Sequence, residues 1–167
     1  MTDGRPEFRA APWQAPAYAA LWVAALAMVW FLPALPTQDG PSHVHFLRVL
    51  SDLLAQRGPW DDAYRADVQL RPYLGLLAIG LPLAAVLPMA LVERAIVTVY
   101  GLLLAFGVPA LLRAFGRSAL PLAFLSVPLA FGTALFMGFY PYCLAAALFL
   151  GGLAPIWRWR NRPIAVR

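Results

Sequence analysis

Lysine is missing from this chain, only 8 acidic residues stand against 13 arginines, and cysteine occurs once. The single thiol, Cys143, excludes a disulfide framework and a thiol-rich metal site, and its place inside an apolar run makes it a small core residue. Charge is sparse altogether: 13% of residues are charged and 62% are hydrophobic, with a mean hydropathy of +0.69. A soluble domain carries roughly 45–50% apolar residues, so the composition excludes that class and implies an integral membrane protein. The net charge of +5 does not point to nucleic acid, because the arginines form no stripe with interleaved aromatics. They flank apolar segments, as topology signals and headgroup anchors do. Also absent are a Walker loop, a nucleophile elbow, a zinc-protease helix and a dinucleotide fingerprint.

What is present is a series of apolar stretches. After a tail over 1–17, Tyr18 to Leu35 runs without a charge for about the length that crosses a bilayer. It exceeds the roughly 7–15 residues of a signal-peptide core, and Ala34-Leu35-Pro36 is a poor cleavage site, so an uncleaved anchor is expected. Further crossings are expected at 95–112, 119–136 and 139–156. The stretch 73–92 is apolar too, but Gly75, Gly80, Pro82 and Pro88 weaken a regular helix there. It is expected to be helical, kinked near Pro82 or Pro88, and not to cross. The chain ends on Trp157-Arg158-Trp159-Arg160, an aromatic and basic interface anchor. The expected fold is all-α, a polytopic transmembrane bundle of four to five spans: a tail over 1–17, a helical domain over 18–157 and a basic tail over 158–167. The arginine total favours five crossings with an exterior N-terminus. Arg5 and Arg9, closest to the first helix, favour four crossings with the N-terminus inside, which is the arrangement preferred here.

Most of the polar chemistry lies in 37–72. Pro36-Thr37-Gln38-Asp39-Gly40-Pro41-Ser42-His43-Val44-His45 is an acidic turn opening a helix over 41–56. Val44, Leu47, Leu50 and Leu54 recur at helical spacing, with His45, Arg48, Asp52 and Gln56 opposite, so the helix is amphipathic and interfacial. Asp39 before Gly40-Pro41 suits an N-cap; at a membrane–water boundary it equally suits a general base or metal ligand. His43, four residues on, should share its side and is either a hydrogen-bonded structural residue or a ligand, while His45 points elsewhere. Asp61-Asp62 reads as a metal-binding pair or as solvated loop acids. Glu93-Arg94, costly in lipid, is expected to pair with itself or to lie at an interface.

At four places the chain resembles the polytopic C-type glycosyltransferases that use polyprenyl-phosphate-linked sugars. The turn Pro36 to His43 looks like the acidic motif opening that family's first exterior loop, and the amphipathic helix after it resembles the juxtamembrane helix. Tyr100 to Arg113, ending Leu111-Leu112-Arg113-Ala114-Phe115-Gly116, is similar to a cytoplasmic helix end. Met137-Gly138-Phe139-Tyr140-Pro141-Tyr142 resembles a Gly-Phe-Tyr-Asn-Phe turn, with Pro141 in place of the Asn. The resemblance implies that Asp39 faces the extracytoplasmic side and takes part in metal binding or acceptor activation, with the lipid phosphate near the same loop.

Two functions follow as expectations. The first is a glycosyltransferase of the cell (inner) membrane, or the N-terminal module of one, transferring a sugar from a bacterial polyprenyl-phosphate donor to a cell-envelope acceptor. Asp39 would be its catalytic base, Asp39 and His43 would hold a divalent ion such as Mg or Mn, and His43, Arg48 and Arg71 would bind substrate. Its partners would be the lipid-linked sugar and membrane lipids, and no nucleic acid. The second is a non-catalytic membrane subunit or truncated paralogue whose 37–72 loop binds a membrane-protein partner. A transporter is weaker, since only Glu93-Arg94 places charge within apolar sequence and no internal repeat is visible.

Overall fold

The computed structural model describes residues 12–60, 62–66 and 73–160. The described residues are helical, with three helices long and apolar enough to cross a membrane: α1 (Gln14–Phe31), α4 (Met89–Phe115) and α7 (Tyr140–Trp159). Between them lie α2 (Gly40–Leu54), α3 (Leu74–Val86), a 3₁₀ helix (Arg117–Leu125), α5 (Ser126–Ala130) and α6 (Thr133–Phe136). The chain is a helical membrane protein.

Proline sets several of the boundaries. Leu32, before Pro33, is extended at φ −68° and ψ 136° and ends α1. Leu87, before Pro88, does the same to α3 at φ −113° and ψ 148°. Pro41 and Pro141 sit in the first turns of α2 and α7, where a missing N–H costs nothing. α3 passes through Pro82 without ending, so the break foreseen near Pro82 or Pro88 is at Pro88. In consequence α4 starts at Met89, six residues before the expected 95, and Glu93-Arg94 lies inside a long helix.

α4 is the central element, packed against α1, α2, α3, α5, α7 and the 3₁₀ helix. α1 runs antiparallel to it: Leu32 lies by Arg94, Trp30 by Thr98, Leu26 by Gly101 and Tyr18 by Ala105. Trp22 and Val29 of α1 are buried, Tyr18 and Leu26 pack against the core, and Leu21, Val23, Met28, Trp30 and Phe31 face outward, where lipid is the compatible solvent. α7 runs parallel to α4, with Glu93 beside Tyr140, Gly107 beside Gly151 and Phe115 beside Trp157.

Parallel neighbours need a connection that returns along their whole length. Residues 116–139 make that return: Phe124 and Ser126 contact Tyr18, Phe131 contacts Trp22, and the Phe136 carbonyl accepts from the Gln38 N–H. The passage expected over 119–136 is therefore present as broken pieces. Pro121 and Pro128 lie in its helical segments, and Gly132 is extended at ψ −173°.

α3 spans 13 residues, about 20 Å, too short to cross the roughly 30 Å hydrocarbon layer. It follows Tyr73, whose ring lies 6.3 Å from His43, and only Leu87 and Pro88 separate its end from α4. α2 packs beneath it: Leu47 and Leu50 are buried, and Leu47 fills the space at Gly80. Leu54, expected on the same stripe, is exposed.

At the waist of the α4–α7 pair, a methyl placed on Gly107 would lie 3.1 Å from the Gly151 Cα, a backbone atom with nowhere to go. Gly107→Val should destabilise the protein by about 1–3 kcal/mol through overpacking. Gly152→Val, where nothing lies within 4 Å, should leave stability unchanged. Thermal unfolding of both variants in detergent is the measurement.

Candidate functional site

Glu93 is placed one turn into α4, at the end of the bundle where α1 finishes and α7 begins. Its Oε1 accepts from Thr37 Oγ1 at 2.7 Å and from the Tyr140 hydroxyl at 2.5 Å. The two hydroxyls are 3.1 Å apart, closing a triangle over three segments far apart in sequence. Arg94, turned about 100° around the helix, points to the other side. Its Nη2 donates to the carbonyls of Leu32 and Pro33 at 2.9 and 2.8 Å, capping the unpaired end of α1 with a positive charge. Glu93 and Arg94 thus do not pair with each other; each holds a different neighbour.

The turn around Asp39 is built onto this anchor. Gly40 sits where any side chain would collide with Glu93, Thr37 and Tyr140. Opposite it, Gly138 takes φ +80°, a conformation favouring glycine, and its open side lies against the Asp39 and Gly40 nitrogens, where a Cβ would be 2.7 Å away. The Gln38 and Asp39 N–H groups donate to the Phe136 and Met137 carbonyls at 2.9 and 3.3 Å. The acidic turn is thus laced to the Met137–Tyr142 turn by backbone bonds.

Asp39 occupies the N-cap position of α2, but its carboxylate makes no capping hydrogen bond. It lines an open groove of about 570 Å³ with Ser42, His43, Tyr73, Phe139 and Tyr142. The His43 ring lies 5.6 Å from that of Tyr140, so the groove wall rests directly on the Glu93 anchor. Of the residues singled out from sequence, Asp39 and His43 share this groove. Arg48 does not line it: its Nε is 3.9 Å from Asp52 Oδ2 and its side chain is 60% exposed. Asp52 also accepts from Trp60 Nε1 at 3.1 Å, and Trp60 packs edge-on to His45, so this second polar group lies on the other side of α2. Asp62 is exposed, while Asp61 and Arg71 lie outside the described residues.

Among the described residues no three His, Cys, Asp or Glu side chains come together. What the groove offers chemically is a carboxylate, an imidazole, a serine hydroxyl and aromatic faces at the mouth of a bundle.

Glu93, Tyr140 and Thr37 escaped the reading from sequence as a unit, since they lie 47 to 103 residues apart. The available signal was a carboxylate within apolar sequence, which needs partners. No family model matches the chain, and no curated protein or solved structure resembles it closely enough to show a relationship.

Glu93→Leu would leave the Thr37 hydroxyl without its acceptor and the Tyr140 hydroxyl with only its 3.1 Å bond to Thr37, a loss of about 1–3 kcal/mol. Tyr140→Phe, which removes one donor and keeps the ring against His43, should cost about 1 kcal/mol. Unfolding in detergent should rank the two in that order; equal stability of Glu93→Leu and the parent chain would contradict the anchoring role.

Proposed function

We propose that the chain is a membrane glycosyltransferase, or the N-terminal module of one, that transfers a sugar from a polyprenyl-phosphate donor to a cell-envelope acceptor. The observation that carries this reading is the carboxylate of Asp39, at a helix start yet free of any capping bond, opening with His43 onto a groove at one end of an apolar bundle. The resemblance of the Pro36–His43 turn to the acidic exterior motif of the C-type family, and of the Met137–Tyr142 turn to its Gly-Phe-Tyr-Asn-Phe turn, supports it. Those turns are hydrogen-bonded to each other here.

In this reading Asp39 is the general base. It takes the proton of an acceptor hydroxyl as that oxygen bonds to the anomeric carbon. The bond from this carbon to the phosphate oxygen breaks, and polyprenyl phosphate departs with the electron pair. His43 and Ser42 are placed to hydrogen-bond substrate oxygens, and the rings of Tyr73 and Tyr142 offer faces to the sugar. A lipid-linked donor reaches such a groove from within the bilayer and an acceptor from the aqueous side.

The alternative is a non-catalytic membrane subunit whose exterior loop binds a partner. One observation favours it: among the described residues the groove is lined by no arginine, so none of them holds a phosphate there by charge.

Asp39→Asn separates the two. The carboxylate makes no cap bond, and Asn caps about as well as Asp, so stability and membrane level should be unchanged within about 0.5 kcal/mol. Glycan transfer, assayed with the lipid-linked donor, should be lost, and His43→Ala should lower it less. Full transfer by Asp39→Asn would remove the base and favour the subunit reading.

The proposed orientation in the cell membrane puts the Asp39 end outside and the Arg113–Arg160 end in the cytoplasm, following the positive-inside rule. Cysteine at Asp62 should react with an impermeant thiol reagent added to whole cells, and cysteine at Ser118 should not. Cys143, 4% exposed, contributes little background. The reverse labelling pattern would remove the glycosyltransferase reading.

A further inference from the structure

At the opposite end of the bundle α1, α4 and the 3₁₀ helix part, leaving a cavity of about 400 Å³, within the usual size of a ligand pocket. Tyr18, Phe106, Pro109 and Phe124 give it apolar walls, and two polar side chains, Gln14 and Arg113, complete it. The Tyr18 hydroxyl is already engaged, donating to the Ala105 carbonyl at 3.1 Å and lying 3.2 Å from Ser126 Oγ. Gln14 Oε1, in contrast, is buried with no hydrogen-bond partner and has no surface open to the cavity. Arg113 stands in the last turn of α4 and brings the planar fork of donors that suits phosphate. Trp157, packed on Phe115 at 4.5 Å and covered by Arg160 at 4.3 Å, marks this end as a membrane interface.

A ligand for this cavity needs an apolar chain for the walls and an anion for Arg113. We infer that it is a site for an anionic phospholipid, with phosphatidylglycerol as the probe. Water would leave the apolar walls and Arg113 uncovered. A soluble phosphate ester would leave the walls bare. Phosphatidylcholine carries no net charge. This site is remote from the Asp39 groove and does not depend on how that groove is used.

The test is competitive lipid retention by the purified full chain in detergent, counted by native mass spectrometry from equimolar phosphatidylglycerol and phosphatidylcholine. A single phosphatidylglycerol should be retained with a preference of about tenfold, the order of one charge-assisted contact. Arg113→Gln, at an exposed position, should abolish the preference. Arg158→Gln, outside the cavity, should leave the preference intact, and both variants should keep the parent's unfolding temperature without added lipid. Equal losses in Arg113→Gln and Arg158→Gln would mean a general basic surface and overturn the site. So would ready displacement of the lipid by glycerol 3-phosphate, or no retained lipid at all.

Discussion

The Glu93 carboxylate is the constraint on which the acidic end of this protein depends. A carboxylate one turn into a long apolar helix is expensive unless it is hydrogen-bonded, and its two donors come from segments that no local interaction would bring together. Thr37 belongs to the exit from α1 and Tyr140 to the first turn of α7. Meeting the needs of one oxygen therefore ties the exit from α1 to the first turn of α7. Hydrogen bonds to a charged group contribute about 1.5–3 kcal/mol each, enough to hold an otherwise apolar bundle in register at that end. Asp39 inherits its position from this arrangement through Gly40 and Gly138, the two residues small enough to let the turns close over the cluster.

Farther along, packing takes over from polar contacts. Gly107 and Gly151 bring the α4 and α7 backbones together, the close approach of small residues that favours helix association where water provides no driving force. The shared direction of the two helices then dictates the rest of the topology. The return through 116–139 has to fit between α1 and α4, and Tyr18, Trp22 and Phe131 fill that seam with aromatic contacts.

Much of the fold was legible in the sequence because it rests on local chemistry. The class followed from composition, α1 from an uncharged run, the pre-proline break from Leu87-Pro88, and the buried side of α2 from Leu47 and Leu50. The start of α4 was not, because Glu93-Arg94 reads locally as a break between apolar runs, whereas each side chain finds hydrogen-bond partners far away in sequence. The same reason hides the anchor cluster. Asp39 and His43 were expected on one side from their spacing of four, and they do line one groove. The missing cap bond at Asp39 was not legible, since it depends on how the backbone of the turn is held by Phe136 and Met137. Arg48 looked available as a single residue, but its neighbour Asp52 lies one turn along the same helix.

The broken return passage also bears on how such a chain enters a bilayer. Its pieces, interrupted at Phe131 and Gly132, offer the insertion machinery a poor signal by themselves. The strong segments on either side, α4 and α7, can settle side by side only if that stretch has already been drawn across. Correct threading of a weak segment is thus secured by the contact that forms after it, and truncation before Tyr140 would remove the α7 packing that follows the return passage.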